Sequence, residues 1–118
     1  MRTRTLTVAA ATLTTVAAVA VLAVPGTEAA STKTVRVVDN RFSPTTLTVK
    51  AGTKVKFVWS GTMTQHDVTV RKAPKNVKKV HSKLMQSGSY STTFRKKGTY
   101  KIVCTIHESF MTMTVKVK

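Results

Sequence analysis

The stretch Thr53-Lys54-Val55-Lys56-Phe57-Val58-Trp59 sets apolar side chains at 55, 57 and 59 against lysines at 54 and 56. A period of two turns Val55, Phe57 and Trp59 to one face of an extended chain and the lysines to the other, which is the signature of a half-buried strand. The same alternation recurs at Val35 and Val37, Leu47 and Val49, Val68 and Val70, and at Met113, Val115 and Val117. Turn-forming pairs separate these runs: Asp39-Asn40, Ser43-Pro44, Ala51-Gly52, Ser60-Gly61, Ala73-Pro74, Ser87-Gly88 and Lys97-Gly98. Short strands punctuated at such intervals predict an all-β chain, an antiparallel sandwich or barrel. No segment from Ser31 onward carries a helical stripe, and there is no internal repeat or low-complexity linker.

The N-terminus has a different character. Met1-Arg2-Thr3-Arg4 precedes an uncharged run of Ala, Val, Leu and Thr from Leu6 to Val24, followed by Pro25-Gly26-Thr27-Glu28-Ala29-Ala30. A basic start, an apolar run and a small-residue site are the layout of a secretory signal peptide, here residues 1–29 with cleavage after Ala29. An uncleaved anchor is the competing reading, since the run is just long enough to span a bilayer, but its many threonines weigh against that. No Arg-Arg pair and no cysteine stand at the site, so the general secretory route is expected and a lipoprotein anchor is not. Residues 30–118 then form one exported domain, periplasmic, extracellular or at the cell envelope. Its size is near the lower limit for a single apolar core, where a disulfide or a metal commonly adds support. Cys104 is the chain's only cysteine, so an internal disulfide is impossible and a metal is the candidate support.

The chain carries 20 Lys and Arg against 4 Asp and Glu, a formal charge of +16. Loss of Arg2, Arg4 and Glu28 removes two positives and one negative and leaves +15, with Asp39, Asp67 and Glu108 as the remaining acids. That imbalance predicts salt-dependent attraction to anionic surfaces and to an acidic partner protein. Nucleic acid is not the expected partner of an exported chain that lacks helix-turn-helix, zinc-finger and RNP patterns. Most lysines sit on the outward phase of the strands, where they are solvated and discourage edge-to-edge pairing. The segment from Arg71 to Lys83, which holds Lys72, Lys75, Lys78 and Lys79 as well, is denser than that purpose requires and is the expected docking patch.

The chemistry concentrates in Cys104-Thr105-Ile106-His107-Glu108-Ser109-Phe110-Met111-Thr112-Met113. An unpaired thiol in an oxidising compartment is a liability, and metal ligation is the usual reason to keep one. A thiolate, an imidazole three residues on and a thioether soon after make a soft donor set on one loop. Two histidines, one thiolate and a weak axial Met suit copper, whereas zinc prefers more thiolates or a carboxylate. The second imidazole comes from His66 or His81. His66 opens the expected strand His66-Asp67-Val68-Thr69-Val70 at a sheet end, while Lys78, Lys79 and Lys83 around His81 repel a cation, so His66 is the assigned ligand and His81 a surface residue.

From Thr32 to Lys118 the sequence resembles the cupredoxins, the small blue-copper proteins of the plastocyanin, amicyanin and pseudoazurin group. The ordered series is Phe42-Ser43-Pro44, Leu47-Thr48-Val49-Lys50-Ala51-Gly52, Val55-Lys56-Phe57-Val58-Trp59, His66-Asp67-Val68, Tyr90-Ser91-Thr92-Thr93-Phe94, Gly98-Thr99-Tyr100 and Cys104-Thr105-Ile106-His107 with Met111. The resemblance implies a Greek-key sandwich of about eight strands with one type-1 copper ion beneath the loops at one end. It implies His66, Cys104 and His107 as the trigonal ligands, Met111 as the axial one, and His107 with Ile106 and Phe110 as the port for electrons. Met113 shares a face with Met111 and is the alternative axial ligand, although the alternation through Val115 and Val117 matches the family when Met111 is chosen. Asp67 stands where the family often has an Asn that braces the cysteine loop. An ionised carboxylate there accepts hydrogen bonds but donates none, which is expected to lower the reduction potential.

The function these readings predict is a monomeric, exported one-electron carrier that cycles Cu(II) and Cu(I), not an enzyme. Turnover needs an open metal position or an acid/base pair, and only Asp67 and Glu108 are expected near the metal. A copper storage or delivery module is the first alternative, distinguished by slow electron self-exchange and labile copper. A cationic surface-binding sandwich without metal is the second, and the intact His66, Cys104 and His107 set argues against it.

Overall fold

The structure is a computed structural model that describes residues 31–118. The expected signal peptide, residues 1–29, lies outside the described residues.

Eight strands follow in chain order: β1 (Thr32–Val38), β2 (Arg41–Ser43), β3 (Thr46–Val49), β4 (Thr53–Trp59), β5 (Thr69–Lys72), β6 (Gly88–Phe94), β7 (Gly98–Val103) and β8 (Thr112–Val117). A single 3-10 turn, Thr105–His107, stands between β7 and β8. The strands form two four-stranded sheets, ordered β2-β1-β4-β6 and β3-β8-β7-β5. From β2 to β7 every connection crosses from one sheet to the other, which winds the chain as a Greek key and closes the inner faces on one another.

The alternation behaves as elementary sterics demand. In β4 Val55, Phe57 and Trp59 are buried while Lys54 and Lys56 are exposed. In β8 Met113, Val115 and Val117 point inward, continuing the phase of buried Met111. The core interleaves Val35, Val37, Phe42 and Phe57 of one sheet with Ile102 and Val115 of the other, each fully buried. Phe42 and Phe57 meet edge to face at 6.4 Å, the arrangement that the ring quadrupole favours.

Two expectations needed correction. The sheets are mixed, because β1 pairs with β4 and β3 with β8 in parallel. Alternation reports which face a residue occupies but not the direction of the neighbouring strand. Here the chain leaves β1 through a hairpin to β2, crosses to β3 in the other sheet and returns as β4 on the free side of β1. The second correction concerns β5, which begins at Thr69 rather than at His66. His66 instead makes an isolated bridge with Met85, with backbone bonds of 2.8 and 3.0 Å. The irregular stretch after β5 folds back beside it, so His66 is held from a loop and not from a sheet ladder.

Candidate metal centre

Three segments meet at the end of the sandwich where β4 and β7 finish. The loop after β4 supplies His66, and the end of β7 runs into Cys104. The turn Thr105–His107 reverses the chain and presents His107 beside the cysteine, with the His107 N–H donating to the Cys104 carbonyl at 3.0 Å. Met111 closes this loop: its N–H donates to the His107 carbonyl at 2.8 Å and its carbonyl accepts from the Cys104 N–H at 3.0 Å. A cysteine, a histidine and a methionine are thereby gathered by local hydrogen bonds before any metal contributes.

His66, Cys104 and His107 place one ligand atom each within 4.8 Å of one another. The Cys104 Sγ lies 3.8 Å from His66 Nδ1 and 3.6 Å from His107 Nδ1. A metal bonded to nitrogen at about 2.0–2.1 Å and to sulfur at about 2.3 Å, with an angle between tetrahedral and trigonal, sets those atoms about 3.5–3.8 Å apart. These separations therefore fit a shared metal ion. Burial pushes the Cys104 thiol up, so the thiolate is disfavoured there unless a cation compensates it. Cys104 and His66 are fully buried, whereas His107 is partly exposed. The imidazole of His107 thus connects a buried site to the surface. Phe110 stacks obliquely on it at 5.4 Å, and Ile106 and Phe110 are exposed by 52% and 58%.

His81 is exposed, with its Nδ1 against the Ser82 carbonyl, and stands outside the cluster. Met111 and Met113 are both buried on one face, but Met113 pairs with Ile102 inside the β7–β8 ladder while Met111 belongs to the ligand loop. Asp67 does brace that loop. Its Oδ1 accepts the Thr105 N–H at 2.7 Å, and its Oδ2 accepts the hydroxyls of Thr105 at 2.8 Å and Thr69 at 3.0 Å. Burial raises the Asp67 pKa, but the hydrogen bonds from Thr105, Thr69 and Cys104 together outweigh it, so the carboxyl titrates below its ordinary value. Glu108 is held by a bidentate pair with Arg71 at 2.7 and 2.9 Å, which ties the loop after His107 to β5.

Two contacts were absent from the sequence reading. The Trp59 indole donates to the His66 carbonyl at 3.1 Å within the core, fixing the backbone that carries the imidazole. Asp39 is nearer to the cluster than the expectation of only Asp67 and Glu108 allowed: its Oδ1 lies 2.9 Å from His66 Nε2. The hydrogen bond to His66 and the N–H groups of Met63 and Thr64 hold the Asp39 carboxyl at about 2. The only sequence signal was the scarcity of acids. A partner 27 positions away leaves no local pattern.

An eight-stranded sandwich with two imidazoles and a buried thiol at one end defines a metal-binding β-sandwich protein. The sequence profile described as copper binding proteins, plastocyanin/azurin family, matches residues 29–118, and the chain belongs to that family, a copper-binding cupredoxin. Solved structures agree. An amicyanin variant in its reduced state is 27% identical, covers 74% of this chain and 82% of its own, and superimposes with a TM-score of 0.64. A pseudoazurin from Sinorhizobium meliltoi shares the fold at 20% identity and a TM-score of 0.65, over 75% of this chain and 74% of its own. A Cu-containing nitrite reductase (NirK) from Thermus scotoductus SA-01 is 27% identical with a TM-score of 0.64 over 73% of this chain, which spans only 22% of that protein. No curated protein sequence matches the chain.

Proposed function

We propose that the protein is an exported one-electron carrier whose type-1 copper is held by His66, Cys104 and His107, with Met111 as the axial ligand. The observation that carries this reading is the pair of Nδ1 atoms at 3.6 and 3.8 Å from one buried Sγ. Bound copper supplies a Cu(II)/Cu(I) couple, and the protein's part is to hold one geometry acceptable to both states. Backbone bonds from Cys104 to Met111, the Asp67 brace and the Trp59 bond to His66 all oppose ligand movement. Met111 is preferred over Met113 because it closes the ligand loop. Electrons pass through the exposed edge of His107, flanked by Ile106 and Phe110.

Membership of the plastocyanin/azurin copper-binding family and the likeness to an amicyanin support a carrier rather than an enzyme. Export rests on the pattern of residues 1–29. The +15 charge of the exported domain supports an acidic redox partner, an anionic cell-envelope surface as a second contact, and a monomer kept apart by self-repulsion.

The test is to express residues 30–118, add Cu(II), and record the visible spectrum and the electron paramagnetic resonance. An intense thiolate-to-copper band with narrow hyperfine splitting is expected, lost in Cys104→Ser. A colourless protein, or colour that survives Cys104→Ser, refutes the assignment. Fast electron self-exchange separates a carrier from a storage or delivery module.

A further inference from the structure

The residues from 31 to 118 contain 18 Lys and Arg but only Asp39, Asp67 and Glu108 as acids. All three acids are spent on segments that carry the clustered side chains: Glu108 through Arg71, Asp67 on Thr105, and Asp39 on His66 itself. Asp39 alone touches a clustered ring.

Asp39 sits in the tight turn between β1 and β2, where Val38 pairs with Arg41 and Asn40 takes a positive φ of 64°. Asn tolerates that left-handed conformation, so the turn is local and stable. From it the carboxylate reaches across to the loop before His66. Its Oδ2 accepts the Met63 N–H at 2.8 Å, and its Oδ1 accepts the Thr64 N–H at 3.3 Å and faces the Thr64 hydroxyl at 3.2 Å. The same Oδ1 lies 2.9 Å from His66 Nε2.

An ionised carboxylate only accepts, so Nε2 must carry the hydrogen of a neutral His66. Nδ1, the nitrogen that faces Cys104, is then left with a free lone pair. The Thr64 hydroxyl, 3.1 Å from Nε2, cannot impose this choice, since a hydroxyl donates as readily as it accepts. A carboxylate behind the ring also makes the imidazole a stronger donor, which favours the higher oxidation state of a bound metal.

We propose that Asp39 is a positioning residue for His66: the turn-borne carboxylate selects the tautomer that presents Nδ1 to the metal and lowers the reduction potential of the site. The inference rests on the proposed copper ligation.

The test uses the exported domain and its Asp39→Ala and Asp39→Asn variants. Asn retains the turn and an acceptor for Nε2–H but removes the charge. Nitrogen chemical shifts of the His66 ring in the metal-free protein read the tautomer. Competition with a chromophoric chelator reads Cu(II) affinity, and voltammetry reads the midpoint. The parent is expected to hold the Nε2–H tautomer. Asp39→Ala should give a tautomer mixture, a higher potential and 10–100-fold weaker Cu(II) binding, about the loss seen when such outer partners are removed. Asp39→Asn should keep the tautomer and raise the potential. Unchanged tautomer, affinity and midpoint in Asp39→Ala would overturn the proposal. A parent without a blue band would instead overturn the ligation reading, and the ring shifts of the metal-free protein would still test tautomer selection.

Discussion

Replacing Asp67 gives the most direct probe of how the ligand loop is held. Its carboxylate accepts three hydrogen bonds, at 2.7, 2.8 and 3.0 Å, two of them from Thr105. A hydrogen bond to a charged group contributes about 1.5–3 kcal/mol, but the exposed hydroxyl of Thr105 regains water in a truncated variant. The loss in Asp67→Ala is therefore about 3 kcal/mol in all, not the sum of three full bonds. At about 4–8 °C per kcal/mol for a domain of this size, the melting temperature should fall by about 12–24 °C at pH 7. Asp67→Asn is milder, because its carbonyl keeps the Thr105 N–H and both threonine hydroxyls can rotate to accept from its amide, leaving a loss of about 1 kcal/mol. The parent's advantage over Asp67→Asn depends on pH in a defined direction. A depressed carboxyl pKa contributes stability above the ordinary value of 3.8, and that contribution is lost as pH falls through the folded-state value. Thermal melts from pH 7 to pH 2 follow this. A melting temperature for Asp67→Ala within two or so degrees of the parent at pH 7, or a parent-to-Asn gap that does not shrink on acidification, would refute the reasoning. The copper-loaded Asn variant should also show a higher midpoint potential, since a negative charge behind the cysteine loop is gone.

Other outcomes follow from the same geometry. Copper should raise the melting temperature of the metal-free domain by mass action, with about 2.7 kcal/mol of added stability when free metal is at about 100 times its dissociation constant. Calorimetry against metal concentration checks this. Gly98 has φ +141° and an added Cβ would stand 2.6 Å from the Pro74 Cγ, so Gly98→Ala should cost about 1–3 kcal/mol, read by denaturant melts. Arg71 and Glu108 are each about half exposed, at 46% and 47%, so their coupling in a double-mutant cycle should be about 1 kcal/mol or less and should weaken with salt. Phe57→Ala removes a fully buried ring and should cost about 3–5 kcal/mol, enough to unfold much of the population at physiological temperature.

Much of this molecule is written in one-dimensional pattern. The alternation at Val55, Phe57 and Trp59 and at Met113, Val115 and Val117 reports burial because a strand has only two faces, and the structure buries those six residues. Cys104 and His107 are readable together because they stand three positions apart on one tight turn. Asp67 was readable as a brace only through the resemblance, which puts an Asn at that position, because its contact with Thr105 spans 38 positions. His66 itself needed the argument that His81 is surrounded by lysines, and His81 is indeed exposed.

What each residue type can do is legible in one dimension: which side chains must leave water, that one thiol without a partner calls for a metal, and which donors are soft enough for copper. Tertiary structure alone decided how these pieces meet. The parallel pairing of β1 with β4 depends on where the chain re-enters a sheet, and nothing in either strand encodes its neighbour's direction. The Asp39 carboxylate reaches His66, and the Trp59 indole reaches the carbonyl behind it, only because the β1–β2 turn and the end of β4 close over the same loop. Hydrogen bonds act over about 3 Å of space and have no regard for distance along the chain. The donor chemistry at Cys104 and His107 is therefore legible from a short segment, while the shell that orients it appears only when the sandwich is closed.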